Sequence, residues 1–203
     1  MPLVLASSSP RRQELLRAAG VEFTVAVANV PEVRRDGEDP IAYAQRLARE
    51  KARAVLPRVP AGSCVLGADT VVVAGDQVLE KPSNREDAAR MLRLLSGNMH
   101  EVTTGVCIVR SAGQGSGSAR EEVQAETTRV WMVEISDAEI AAYIAGGEPM
   151  DKAGGYAIQG VASRWIPRIE GCYFNVVGLP VPLVYRMSRA LGCMEDQGAE
   201  ATS

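Results

Sequence analysis

The chain has 203 residues, 46% of them hydrophobic and 23% charged, which allows one sizeable core and excludes the disordered class. Its formal net charge of −3 argues against a protein that coats a nucleic-acid backbone, so an anionic ligand must be met by a local cluster of cations. Cys64, Cys107, Cys172 and Cys193 are widely separated and lie outside CxxC or histidine-rich patterns, which points to reduced, buried thiols rather than zinc or a disulfide framework.

No apolar run approaches a membrane span and no basic n-region precedes an apolar h-region, so the expectation is a cytoplasmic protein without a membrane partner. Aromatic residues are only 4%, and the core must therefore be built from Val, Leu, Ile, Ala and Met.

Residues 3–5 form an apolar run short enough for a buried strand, followed by Ser7, Ser8 and Ser9. Pro10 then opens a helical pattern with apolar positions at 15, 16 and 19; Ser9 is its N-cap and Gly20 its stop. A helix start beside two arginines, Arg11 and Arg12, attracts phosphate, but a capped surface helix with solvated arginines explains this stretch equally well. A second strand at 21–27 leads into the polar loop 31–37. Asp39 and Pro40 start a helix that carries Lys51 and runs to about Val55. Residues 63–68 read as a buried strand that stops at Asp69 and Thr70 before 71–73 resume, and 78–82 return after a turn at 74–77.

Ser83 to Glu86 has capping-box spacing and opens a helix that ends at Gly97. Residues 100–110 and 123–135 are long β-rich runs that suggest an antiparallel hairpin, joined by a Gly/Ser-rich mobile tip at 111–119. Ser136 to Glu139 is another capping box, for a helix ending at Gly146 and Gly147. After a polar, glycine-containing stretch at 148–155 come strand-like pieces at 165–169 and 172–177 and a closing helix at 181–191. The reading is one domain over residues 1–191 with a flexible tail at 192–203, in the α/β or α+β class.

Charged residues recur where strands end or loops bend: Arg11 and Arg12, Glu32, Lys51, Asp69, Glu80 and Lys81, Asp151 and Lys152. Such a mixture suits a polyphosphate, with cations on its oxygens and carboxylates holding a bridging magnesium ion. Each has a plainer reading. Asp69 also fits an Asx-turn residue, although an ionised acid among apolar neighbours needs a partner. Glu80 and Lys81 fit an exposed strand edge, Lys51 a solvated helix face, and Glu32 a charged loop. His100, the only histidine, is structural, and the serines lack a GxSxG elbow.

Six motifs in order carry a resemblance. They are Leu5-Ala6-Ser7-Ser8-Ser9-Pro10-Arg11-Arg12, Gly67-Ala68-Asp69-Thr70, Leu79-Glu80-Lys81-Pro82, Ser96-Gly97 with His100 and Thr104-Gly105, Glu148-Pro149-Met150-Asp151-Lys152-Ala153-Gly154, and Tyr156-Ala157-Ile158-Gln159-Gly160. Together they resemble the Maf family of nucleoside triphosphate pyrophosphatases, from residue 3 to about 190. The resemblance implies a mixed twisted sheet flanked by helices, with two lobes around a deep cleft, a Maf/ITPase-like fold. It implies Asp69 as general base, Glu32 with Asp69 around a Mg²⁺ or Mn²⁺ ion, and Lys51 and Lys81 on the phosphates. Ser7, Arg12 and Lys152 join them on the substrate side, while Arg11, Thr70 and Gln159 match positions for base choice of the dTTP/UTP type. A homodimer is implied as well. Two other readings stay open: a hydrolase attacking the terminal phosphate, and a regulatory or binding protein of septum formation and cell division.

Overall fold

Local signals decide most of the element boundaries in this computed structural model, which describes residues 3–113 and 118–194. The chain runs β1 (Leu3–Leu5), α1 (Pro10–Ala18), β2 (Phe23–Val25), α2 (Pro40–Val55), β3 (Cys64–Ala74), β4 (Gln77–Leu79) and α3 (Arg85–Leu95). It continues through β5 (Met99–Arg110), β6 (Arg120–Trp131), α4 (Asp137–Ala145), β7 (Arg168–Glu170), α5 (Tyr173–Val177) and α6 (Val181–Ala190).

Pro10 is the first residue of α1 after Ser9, and the Asp39 carboxylate caps α2 by accepting from the Ile41 and Ala42 N–H groups. Ser136 and Glu139 complete the reciprocal capping box of α4. At α3 the cap falls one residue later than predicted: Asn84 accepts from the Asp87 N–H, and the Asp87 carboxylate accepts from the Ser83 N–H.

Seven strands form one mixed sheet in the order β2-β1-β3-β5-β6-β7, with β4 on β3. β1 is parallel to β2 and β3; every other pairing is antiparallel. The predicted break at Asp69 does not occur. On one side β3 pairs with β5 throughout, Asp69 opposite Gly105 and Thr70 opposite Thr104. On the other side β1 stops at Leu66 and β4 begins only at Val72. Ladder pairing with β5 holds Asp69 in an extended strand, while the opposite edge of the same strand lies open from 67 to 71.

Alternation along β3 sends Cys64, Leu66, Ala68 and Val72 into a large core shared with α1, α3, α4 and α6. Val65 and Val71 face α2 on the other side. There a Cβ on Gly67 would lie 2.1 Å from the Ala48 carbonyl oxygen, and one on Gly105 2.3 Å from the Ala44 backbone. Glycine at these positions lets α2 lie almost directly on the sheet.

One further segment departs from prediction. Of the predicted strand at 172–177, residues 173–177 form helix α5 instead, because buried Asn175 donates to the Val102 carbonyl at 2.8 Å and Thr128 Oγ1 at 3.0 Å. Those bonds outweigh the β-propensity of Tyr173, Phe174, Val176 and Val177. The cysteines also differ: Cys64 and Cys193 are joined in a disulfide, with Cα atoms 5.8 Å apart, while Cys107 and Cys172 are free. Cys193 is buried, so the ordered chain extends beyond the predicted limit at 191. The predicted mobile tip falls partly, at 114–117, and the tail from 195 onward wholly, outside the described residues. No helix among the described residues is long and apolar enough to cross a membrane.

Candidate active site

A cleft of about 370 Å³ opens along the free edge of β3. Its floor is a chain of alternating charge. Lys51 Nζ lies 2.6 Å from Asp69 Oδ1 and 2.6 Å from Glu32 Oε1, and Lys81 Nζ lies 3.5 Å from Glu32 Oε2. Lys51 and Asp69 are only 7% and 8% exposed, so Lys51 is not on a solvated helix face, and Asp69 sits inside β3 rather than in a turn. Burial pushes the Asp69 carboxyl above its usual range against the pull of Lys51 and Arg12, and the nearby Glu32 charge adds to the rise. Burial acts in the same sense on Glu32, but there the hydrogen bond and charge of Lys51, joined by Lys81, hold the carboxyl below its usual range. A buried carboxylate with a raised pKa is a stronger base than an exposed one.

One wall is made by α1 and the serine loop. Arg12 is buried, and its guanidinium donates to the carbonyls of Gly178 at 2.8 Å and Ala68 at 2.9 Å, to Ser7 Oγ at 3.2 Å and to Thr70 Oγ1 at 3.0 Å. Four of its five N–H groups are thus committed within the protein. The Ala68 carbonyl belongs to the open edge of β3, so Arg12 closes part of a ladder that has no neighbouring strand. The Thr70 hydroxyl also lies 2.9 Å from Thr104 Oγ1 and is held inside this network.

The opposite wall comes from the polar stretch 148–155 and the turn after it. Arg11 reaches across to Asp151 at 3.2 Å, and Lys152 approaches the same carboxylate at 2.5 Å. Gln159, an exposed residue, lines this side. Ser7, Glu32, Lys51, Asp69, Lys81 and Gln159 thus border one cleft, as do Arg11, Arg12, Thr70 and Lys152.

The donors are hard carboxylate oxygens, chiefly those of Glu32 and Asp69. Among the described residues no three acidic, histidine or cysteine side chains converge as a metal cage. Such a set fits Mg²⁺ or Mn²⁺ held by one or two carboxylates and completed by phosphate oxygens and water. It does not suit a metal bound by protein ligands alone.

The family model described as Maf-like protein matches residues 2–191. The chain belongs to the Maf family. The dTTP/UTP pyrophosphatase of Koribacter versatilis (strain Ellin345) is 60% identical over 194 residues, 96% of this chain and 96% of its own. That of Vibrio cholerae serotype O1 is 50% identical over 179 residues, 88% and 92% of the two chains. A nucleoside-triphosphatase / dITP/XTP pyrophosphatase of known structure from Mycobacterium abscessus is 16% identical, covers 95% of this chain and 96% of its own, and superposes with a TM-score of 0.42.

In this Maf chain some site partners were not singled out from sequence. The Tyr43 hydroxyl donates to Glu80 Oε1 at 2.7 Å on the cleft border. Tyr43, Leu47 and Lys51 are spaced by four and share the face of α2 that meets the cleft, a helical signal that was available. Asp151 as the partner of Arg11, 140 residues away, left no such signal. His100 is buried with Nε2 2.7 Å from the Tyr156 hydroxyl, outside the cleft lining, in keeping with its structural reading.

Proposed function

We propose that the protein hydrolyses dTTP and UTP to the nucleoside monophosphate and pyrophosphate. The observation that carries this is the Glu32–Lys51–Asp69 chain on the cleft floor, which combines a buried base with cations and carboxylates suited to a triphosphate. The names of relatives at 47–60% identity support the substrate class and favour the enzyme over the septum-formation reading.

In this mechanism Asp69 takes a proton from a water whose oxygen attacks the α-phosphorus. The bond from that phosphorus to the α–β bridging oxygen breaks, and its electron pair leaves with pyrophosphate. Lys51 and Lys81 offset the charge that develops on the departing oxygens, each such contact being worth about 10²–10³ in rate. Arg12, with four N–H groups committed within the protein, contributes mainly its charge and the shape of the Ser7 loop. Glu32 and Asp69 would hold a divalent ion, Mg²⁺ or Mn²⁺, which when bound neutralises phosphate oxygens. Lys152 adds positive charge near the phosphates, and Arg11, Thr70 and Gln159 border the space for the base. Homodimerisation and a cytoplasmic location belong to the same reading.

The test is a panel of all nucleoside triphosphates with Mg²⁺ or Mn²⁺, separating pyrophosphate from orthophosphate. Turnover of dTTP and UTP with release of pyrophosphate is expected. Release of orthophosphate would show attack at the terminal phosphate, and equal turnover of ATP or CTP would overturn the base assignment.

A further inference from the structure

The turn that carries Gln159 is tied at both ends to one pair of side chains that do not line the cleft. At one end the Ala157 N–H donates to the Tyr143 hydroxyl at 3.3 Å, and that hydroxyl donates to Glu148 Oε1 at 2.7 Å. At the other end the Val161 N–H donates to Glu148 Oε2 at 3.2 Å. Between them the Gly160 N–H closes the turn on the Ala157 carbonyl at 3.0 Å. A Cβ on Gly160 would lie 2.1 Å from Glu148 Oε1, so the carboxylate lies directly against the backbone it holds. Tyr143 itself is 4% exposed in the core.

Gln159 is different. Among the described residues its side-chain amide has no hydrogen-bond partner, although it faces the cleft. Among the described residues it is the turn that fixes where that amide stands. We infer that Tyr143 and Glu148 are positioning residues that hold the Gln159 turn and thereby set the preference for uracil and thymine over cytosine. This rests on the reading of Gln159 as a base-contacting residue.

The chemistry gives the inference a distinctive signature. Uracil and thymine present an N3–H donor beside the O4 acceptor, whereas cytosine presents an N3 acceptor beside an amino donor. An amide carries a donor on one side and an acceptor on the other, and rotation by half a turn exchanges them. The turn does not hold that rotation; it fixes where the amide stands against the base, and a mismatched base is rejected only while the amide cannot move away from it, so a loosened turn softens the rejection of cytosine. Loss of one tether therefore harms selection more than chemistry.

Steady-state kinetics on the full chain with UTP and with CTP, alongside melting temperatures, test this in Tyr143→Phe, Glu148→Gln and Gln159→Ala. In Tyr143→Phe and Glu148→Gln, KM for UTP is expected to rise about three- to tenfold with kcat nearly unchanged, as for one lost hydrogen bond. The UTP-to-CTP ratio of kcat/KM is expected to fall by a similar factor. A merely structural role would lower the melting temperature and both substrates together, leaving that ratio intact; this result overturns the inference. If Gln159→Ala collapses the ratio while the two tether variants keep it, only the positioning role falls. An unchanged ratio in Gln159→Ala removes the base-contact reading and the inference with it. Should Tyr143→Phe fail to fold, Glu148→Gln, nearly identical in shape and only partly buried, decides alone.

Discussion

Gly105 stands directly opposite Asp69 in the ladder between β3 and β5, at a point where Ala44 and Gln45 of α2 lie almost on that ladder. Lys51 reaches Asp69 because α2 lies this near the sheet. A Cβ on Gly105 would meet the Ala44 backbone at 2.3 Å and the Gln45 nitrogen at 2.5 Å, and backbone yields less readily than the end of a side chain. Gly105→Ala is therefore expected to lift α2, lowering stability by about 1–3 kcal/mol as in an overpacked core. It should also lengthen the Lys51–Asp69 contact and reduce kcat. Urea unfolding together with turnover measures both; wild-type stability in this variant would show that α2 shifts without cost.

Asp69→Asn is expected to separate activity from stability. A folded-state pKa above the unfolded value means that at neutral pH folding works against the charge, so the ionised Asp69 costs stability once the pH exceeds the unfolded value. The amide removes that cost, while Lys51 keeps Glu32 as a partner. Turnover is expected to drop about 10²–10⁴-fold, the scale of a lost general base, with a melting temperature equal to or above wild type. A large drop in melting temperature would show that the Lys51–Asp69 pair holds the fold together.

His100 sets an acid limit on the fold. Burial pulls its pKa down from 6.5 to about 4, and Nδ1 has no hydrogen-bond partner among the described residues. The unfolded chain therefore binds one more proton than the folded chain between these values. Stability is complete above about pH 6.5, declines as the pH falls toward 4 and levels off below it, a loss of about 3 kcal/mol from this group. Melting temperatures from pH 7 to 4 for wild type and His100→Gln check this. The variant should give the flatter profile, and parallel profiles would place the acid sensitivity elsewhere.

Much of this architecture was readable in order, because its signals are local. Pro10 after Ser9, Asp39 before Pro40 and the Ser136–Glu139 box each act within one turn of helix. What was hidden depends on partners distant in sequence. The continuity of β3 through Asp69 comes from β5, and the helix at Tyr173–Val177 comes from Val102 and Thr128. The site follows the same division. Motif residues such as Asp69 and Lys81 stand out as charges beside apolar strands, but Arg12's commitment to Ala68 and Gly178 is decided by carbonyls that every sequence possesses. The Cys64–Cys193 pair spans 129 residues, and no spacing rule reaches so far.

That disulfide predicts a stability dependence confined to the sheet's far end. It fastens Cys193, just after α6, to the first residue of β3, while Asp69 lies five residues further along the strand, roughly 16 Å away at about 3.3 Å per residue. Closing a loop of this size restricts the unfolded chain by up to about 5 kcal/mol in the chain-entropy view, and measured values are commonly 2–4 kcal/mol. The Arg110 guanidinium donates to the Leu191 carbonyl at 2.9 Å and keeps the end of α6 in place when the bond is opened. Cys193→Ser, or reduction of the wild type, is therefore expected to lower the urea midpoint substantially while leaving kcat and KM for UTP unchanged. Equal urea midpoints with and without reductant would show that the bond does not form in solution. A change in kcat would mean instead that strain at the start of β3 is transmitted to Asp69.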